Sequence, residues 1–444
     1  METTKDNFAA MTKKSDQHIV SWFRNAAPYI NQHRGKTFVV FFSGTAIASE
    51  GFDELINDLA LLHSLGIKLV LVYGARPQIE SRLKLENIKP KYAQGLRITD
   101  EKSLDAVIEA AGRLRVLIEA KLTTSMENTP MSGSRIRVAS GNFIVARPLG
   151  VKDGIDFGHT GEVRRVEVKA IQQQLESGQC VLLSPLGYSP TGEVFNLSAE
   201  EVATATACAL HADKLILLND GQLNRPLPAQ LTLSEIAPLV KRRKLPDITL
   251  LHLHNAQDAI LNGVPRCHII NRSIDGGLLQ EFFTRDGVGT LISADGYEGL
   301  RLAETDDVAG ILALIKPLEE KGKLVRRSRE QLELEISHFF VIERDGMIIG
   351  CAALYPFKKE KLGELSCMAI HTDYRGDNRG DVLLDAIEKR ARTLGLKKLF
   401  VLSTQAMHWF RERGFAVGKI SELPVKKAKL YNYQRKSKIF FKNI

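Results

Sequence analysis

The strongest constraint on the fold is an alternation that runs from Phe38 to about Asn271. Short apolar runs, "FVVFF", "KLVLVYG", "FIVARPL", "CVLLSPLG", "KLILLND" and "RCHIIN", read as buried strands. Between them lie segments such as "FDELINDLALLHSLG" and "AEEVATATACALHA", whose apolar residues recur every three or four positions, as on one face of a helix. Buried strands alternating with helices predict an α/β three-layer sandwich around a mainly parallel sheet.

A second, smaller mixed α/β pattern follows "GTLISADGYEGL". In "RLAETDDVAGILALIKPLEEKG" a strand leads to a helix with its N-cap at Thr305, and "FFVIERDGMIIGCAALYPF" reads as a hairpin turning at Asp345-Gly346. Strand "GELSCMAIH", helix "DVLLDAIEKRARTLG", strand "KLFVLST" and helix "AMHWFRERGF" complete it. The boundary is placed near residue 297, giving domains 1–296 and 297–444, both of ordinary domain size.

The composition, 44% hydrophobic and 25% charged over 444 residues, excludes a disordered chain. No run approaches a membrane span and residues 1 to 16 are polar, so a soluble cytoplasmic protein is expected. The five cysteines have no paired spacing, which argues against a disulfide framework or zinc knuckle, and no metal is implied. A net charge of +9, clustered in "KRRK", "VRRSR" and the last segment, suits nucleic acid or small polyanions. No nucleic-acid module accompanies it, so a small-anion site is the sharper expectation.

The stretch "HTDYRGDNRGDVLLDAIEKRA" looks like such a site. A helix start presents unpartnered N–H groups and partial positive charge. Gly376 and Gly380 allow close backbone approach, and Arg375 and Arg379 add charge. An ordinary surface turn capped by Asp381 explains the loop equally well by itself.

Together with the order of elements and the later "WFRERGF", this strand-loop-helix resembles the GCN5-related N-acetyltransferase (GNAT) superfamily. Its diphosphate loop runs R-x-x-G-x-G/A, and Arg375, Asn378 and Gly380 occupy the fixed positions. Asn378 departs from the middle glycine, although asparagine tolerates left-handed backbone. The resemblance implies that acetyl-CoA is the co-substrate. It also implies that backbone N–H groups around Met368, Ala369 and Ile370, on a strand splayed from its neighbour, face the thioester oxygen. The superfamily's frequent acidic tyrosine falls on Phe410, which cannot donate a proton. Glu364 as base and Ser403 as acid are the replacements, though a strand-edge carboxylate and a helix cap fit these residues as well.

"PLEEKGKLVRRSREQLE", "GCAALYPF" and "LYNYQRKSK" resemble the bacterial N-acetylglutamate synthase family. The resemblance covers the second domain densely and the first more loosely. It implies acetylation of the L-glutamate α-amine at the head of arginine synthesis, with Arg327 and Arg435 on the substrate carboxylates and Cys367 lining the site. Forked arginine–carboxylate bonds, each worth about 1.5 to 3 kcal/mol, suit an acidic amino acid.

In the first domain, "FFSGTAIAS", "VYGARPQI", "GLRITD", "SGNFIVARPLG" and "FNLSAEEVATATACALHADKLILLND" resemble the amino-acid kinase family, especially acetylglutamate kinase. Phosphoryl transfer needs lysines and metal to neutralise a moving phosphoryl group. The family's lysines fall on Phe41 and near His252, Ser43 replaces one glycine, the second glycine-rich loop reads Gly74-Ala75-Arg76, and Glu200 replaces the ordering aspartate. A fold without kinase activity is expected.

By resemblance to arginine-inhibited members, "WFRNAAPYINQHRG" and "RCHIINRSIDGGLLQEFFTRDGVGT" form an arginine site with Tyr29, His268, Glu281 and Gly287 as contacts, and the chain assembles as a homo-oligomer, a hexamer in the bacterial family. The alternative is a non-catalytic arginine-binding regulator with a decayed acetyltransferase domain, against which the intact Arg327, Arg435, Glu364 and Ser403 speak. A working kinase fusion is opposed by Phe41.

Overall fold

The fold is described from a computed structural model, which describes residues 20, 22–124, 136–220, 223, 225–294, 298–344, 346–376, 378–403, 407–429 and 437–444. The chain divides into two compact units, Met1–Gly296 and Tyr297–Ile444.

The first unit is built on an eight-stranded sheet of β1 (Thr37–Phe42), β2 (Lys68–Tyr73), β3 (Val138–Ala139), β4 (Cys180–Leu183), β5 (Lys214–Asn219), β6 (Gln230–Thr232), β7 (Cys267–Asn271) and β8 (Thr290–Ser293), in the order β6-β8-β7-β5-β1-β2-β4-β3. All neighbours run parallel except β7 and β8. One face packs against the helix over residues 22–33 (α1), Phe52–Ser64, Glu101–Thr124 and α2 (Gly277–Phe283), the other against Val168–Glu176, Ala199–Leu210 and Asp247–Leu261. Burial on both faces explains the uninterrupted apolar strands.

"FIVARPL" departs from the expected parallel sheet. Its strand, Ile144–Pro148, lies in a separate four-stranded sheet and pairs antiparallel with Gly161–Val166. Only Ile144 and Ala146 of it are buried, so alternation rather than the apolar run was its true signal.

The second unit has a seven-stranded sheet of β9 (Glu298–Leu302), β10 (Phe339–Arg344), β11 (Met347–Phe357), β12 (Leu362–Ile370), β13 (Lys398–Ser403), β14 (Ala416–Val417) and β15 (Lys438–Asn443), in the order β9-β10-β11-β12-β13-β15-β14. Helices α3 (Val308–Glu320) and α4 (Arg329–Glu335) cover one face; α5 (Arg379–Thr393) and α6 (Met407–Glu412) cover the other. A short helix, α7 (Val425–Lys429), follows before β15. In the β10–β11 hairpin Gly346 takes a positive φ of 74°, as a tight turn requires; Asp345 lies outside the described residues.

Thr305 is not the helix cap. A 3₁₀ turn, Thr305–Asp307, precedes α3, and the Asp307 carboxylate accepts from the Glu304 N–H at 2.7 Å. Asp307 also takes a forked pair from Arg301 at 2.6 and 2.8 Å, which ties the helix start to β9 and holds its carboxyl below the usual range. Replacing Asp307 by Ala removes both contacts and leaves Arg301 with Glu343 and the Leu302 carbonyl. The expected loss is about 1 to 3 kcal/mol, read as a lower urea midpoint at unchanged m-value; an unchanged midpoint contradicts the structural role of this tie.

Candidate active site

The site is set by how β12 treats its two neighbours. It pairs in parallel with β13 only at Leu362↔Lys398, Gly363↔Leu399 and Glu364↔Phe400, whereas its ladder with β11 continues to Gly350↔Ile370. Beyond Glu364 the two strands part, as the superfamily's splay requires. In the same stretch β12 carries a bulge: Cys351 opposes Ala369 and Ala353 opposes Ser366, so Cys367 and Met368 share one partner position. Cys367 takes a positive φ of 51°, unusual for a residue with a side chain, and its carbonyl accepts the Cys351 thiol at 3.3 Å.

The bulge resets the alternation of faces. Leu365, Met368 and Ile370 pack with α5, while Cys367 and Ala369 pack with α3 and α4. Glu364 and Ser366 flank Leu365 and therefore point to the α3–α4 side. Glu364, Ser366 and Cys367 thus share a face, which an unbroken strand forbids.

On that face Arg327 donates from Nη2 to Ser366 Oγ at 3.0 Å, and its N–H donates to Glu319 Oε1 at 3.0 Å. Burial disfavours the guanidinium's charge, but neighbouring Cys367, Tyr355 and Glu335 outweigh it and hold the pKa above its ordinary value. Contact with Cys351 and the Arg327 charge draw the Cys367 thiol below its ordinary range. Tyr355 donates to Glu335 Oε2 at 2.5 Å. Glu364 is only 4% exposed and pairs with Lys427 of α7 at 2.8 to 2.9 Å. Arg435 lies outside the described residues.

On the opposite face, Ser403 ends β13, two residues after Val401, which packs with α5. The base and acid candidates therefore lie on opposite faces of the sheet, either side of the gap where the strands part. Phe410 is buried in the core, as its lack of a polar group demands.

The anion loop follows β12. Asn378 takes the left-handed conformation (φ 55°, ψ 12°) as N-cap of α5, and Gly376 has φ 112°. A Cβ on Gly380 would lie 3.0 Å from the Trp409 ring, so glycine gives the indole room to close over the helix start. Arg375 is exposed at the loop. Arg379 departs from expectation. Its guanidinium forms a fork with Glu298 at 2.6 and 2.7 Å and donates to the Tyr374 carbonyl at 2.8 Å, which pins the loop to β9. Its side chain is committed to the fold, because a forked carboxylate pair outcompetes an exposed loop position. Asp381 likewise caps nothing; it pairs with Arg413, which stacks on Trp409 at 4.0 Å.

In the first unit three of the four effector candidates meet. His268 Nδ1 contacts Glu281 Oε1 at 2.6 Å, and the N–H groups of Val288 and Gly289 donate to Glu281 Oε2 at 2.8 and 2.7 Å. A Cβ on Gly287 would lie 2.4 Å from the same oxygen. Tyr29 of α1 packs against the core cluster on that side, which contains Phe282. Lys214, which the sequence did not single out, lies 3.5 Å from His268 Nε2 and over the Phe38 and Phe282 rings. Where a kinase needs lysines, Phe41 packs edge-on to His252, 5.7 Å between centroids, and Asp220 takes both the Ser43 hydroxyl and Arg272.

Burial, reinforced by Lys214, pushes His268 down to about 4 from its ordinary 6.5. Burial raises Glu281, but the bonds from His268 and the two N–H groups prevail and hold it at about 2. Both folded values lie below the unfolded ones, so the unfolded chain takes up protons first on acidification. The stability is fully present above about 6.5; the His268 part is lost as pH falls toward 4 and the Glu281 part below 4.5. The urea midpoint should fall from pH 6.5 to 4, and fall less steeply in His268→Gln; equal slopes contradict the assignment.

The sequence reading missed Ser366, Tyr355, Glu335 and Lys427. None of them left a local signal, since "ELSC" alternates polar and apolar residues as an unbroken strand does. Among the described residues, no group of three or more His, Cys, Asp or Glu is placed to hold a metal, and no helix is long and apolar enough to cross a membrane.

Comparison with known proteins accords with this geometry. Residues 36–222 match the amino acid kinase family and residues 308–415 the acetyltransferase (GNAT) family. Amino-acid acetyltransferases of Azotobacter vinelandii and Pseudomonas putida are each 53% identical, over 95% of this chain and 99% of theirs. The crystal structure of N-acetylglutamate synthase from Neisseria gonorrhoeae complexed with coenzyme A and L-arginine is 38% identical, covers 96% of this chain and 99% of that one, and superposes with a TM-score of 0.87. The same protein complexed with coenzyme A and N-acetyl-glutamate gives 0.60. On these grounds the chain belongs to the amino-acid acetyltransferase family.

Proposed function

We propose that this protein transfers the acetyl group of acetyl-CoA to the α-amine of L-glutamate, giving N-acetyl-L-glutamate and CoA, the first step of arginine biosynthesis in the cytoplasm, and that L-arginine bound to the first unit inhibits it. The observation that carries the reading is the parting of β12 from β13 between Glu364 and Ser403, with Arg327 and Cys367 on the Glu364 side.

The residues fit the coenzyme. The start of α5, the left-handed Asn378 and the Cβ-free Gly376 and Gly380 present N–H groups to a diphosphate, with Arg375 beside them. Past Glu364, the backbone of Met368, Ala369 and Ile370 borders the gap and is aimed at the oxyanion that forms when the amine attacks. Glu364 takes the amine's proton, directly or through one water, and Ser403 donates to the departing sulfur. Arg327, already on Ser366 beside Cys367, holds one substrate carboxylate, and Arg435 holds the other. In the first unit Glu281, turned toward Lys214 and His268, offers a carboxylate to arginine's cationic groups, with Gly287 and Tyr29 at its sides. A homo-oligomer, hexameric by family resemblance, fits the exposed Val20, Trp22 and Phe23 around α1.

Thiol release from acetyl-CoA should be specific for glutamate within a panel of amino acids; turnover with none, or with neutral amino acids preferred, contradicts the proposal. Glu364→Gln should lower kcat/KM by about 10² to 10⁴ and Ser403→Ala should slow thiol departure, while Arg327→Ala should raise the KM for glutamate by about 10- to 100-fold. A kcat loss in Arg327→Ala without a KM change would remove it from the carboxylate site. Gly287→Ala, by displacing Glu281, should raise the arginine concentration for half-inhibition by about tenfold or more; an unchanged value would move the effector elsewhere.

A further inference from the structure

We infer that Lys427 is a positioning residue for the transfer, holding the Glu364 carboxylate oriented before substrate arrives. Its Nζ donates to Oε1 of Glu364 at 2.9 Å and lies 2.8 Å from Oε2, so the ammonium sits against a carboxylate that is 4% exposed. The inference rests on Glu364 as base, the role proposed above.

The surroundings make the pairing consequential. Glu364 lies opposite Tyr355 on β11 and beside Phe400 on β13. Among the described residues, the titratable or charged groups on its face include the Tyr355 phenol with His338 against its ring, the Lys427 ammonium and, toward the bulge, Cys367 with Arg327, Glu319 and Glu335. Arg327 is engaged with Ser366 and Val325, which leaves Lys427 as the cation that touches the carboxylate among the described residues. A buried carboxylate without a cation favours its neutral form, and a neutral carboxyl cannot take a proton from an amine.

Lys427 is built into place. Its N–H donates to the Pro424 carbonyl at 2.8 Å, and Leu423 and Ala428, either side of it, pack with Phe400 and Ile439. The neighbouring Lys426 is exposed. The segment therefore anchors on the same Phe400 that pairs with Glu364, and the lysine enters the site from a fixed base. Sequence gave no warning of this, because "VKKAK" reads as an ordinary basic surface turn.

The test compares kcat/KM for glutamate across pH in wild type, Lys427→Gln, Lys427→Arg, Glu364→Gln and the double variant Glu364→Gln/Lys427→Gln, with thermal unfolding of each. Lys427→Gln keeps the hydrogen-bond donor and loses the charge. It should lower kcat/KM at neutral pH by about tenfold or more and move the acid limb of the profile upward by about one pH unit, because removing the cation favours the inactive, protonated base. Lys427→Arg should return the limb to its wild-type position. In the Glu364→Gln background, Lys427→Gln should add no further loss. A limb that stays in place in a folded Lys427→Gln protein overturns the inference, and so does a loss confined to KM, which would make Lys427 a substrate ligand instead. If Lys427→Gln does not fold, a Lys427→Arg limb shifted from wild type has the same adverse meaning. Full activity in Glu364→Gln would overturn the base assignment itself, a result distinct from any of these.

Discussion

The ladder between β12 and β13 ends at Glu364, while β12 continues on β11 and β13 continues on β15. Two strands that start as neighbours and then part leave backbone N–H groups facing a gap rather than each other, and such groups demand a partner. In an acyl transferase that partner is the oxygen of the reacting carbonyl. The remainder of the second unit is arranged around this opening. The bulge at Cys367 turns Ser366 and Cys367 to the face that already carries Glu364, Ala369 is accommodated beyond it, and α5 begins shortly after the strand ends. Arg379 and Arg344 on Glu298 fix the loop between strand and helix to the edge strand β9.

The two units solve one electrostatic problem in two ways. Each holds a carboxylate whose side chain is 6% exposed. Glu281 is held by an imidazole and two backbone N–H groups, so its charge persists far into acid and it is a stable acceptor for a cationic ligand. Glu364 is held by one ammonium, that of Lys427. In the first unit Phe41 and His252 pack against each other at the positions where the resemblance to amino-acid kinases puts lysines.

The sequence carried most of the fold because strands buried on both faces leave an unmistakable apolar run, as in "FVVFF" and "KLILLND". It misled at Ile144–Pro148, where a half-exposed strand imitates that run, and at Thr305, where Asp307 caps from two residues further on. In the candidate site, Glu364, Ser403, Arg327 and the loop glycines stood out in the sequence because chemistry restricts which residue types can serve. The ion pair of Arg379 was hidden, since its carboxylate partner Glu298 lies 81 residues away and charge in a loop looks the same whether committed or available. Lys427, 63 residues from Glu364, was invisible for the same reason: long-range ion pairs leave no local pattern. The bulge was hidden too, because only the pairing of β12 with β11 defines it.

The account stands or falls on where the acyl carrier binds. Soaking crystals of the protein with coenzyme A and glutamate should place the diphosphate at the start of α5, the sulfur in the gap between β12 and β13 near Ser403, and the glutamate amine on the Glu364 side. Coenzyme A found on the first unit's sheet, or on the second unit with its sulfur outside that gap, would contradict it.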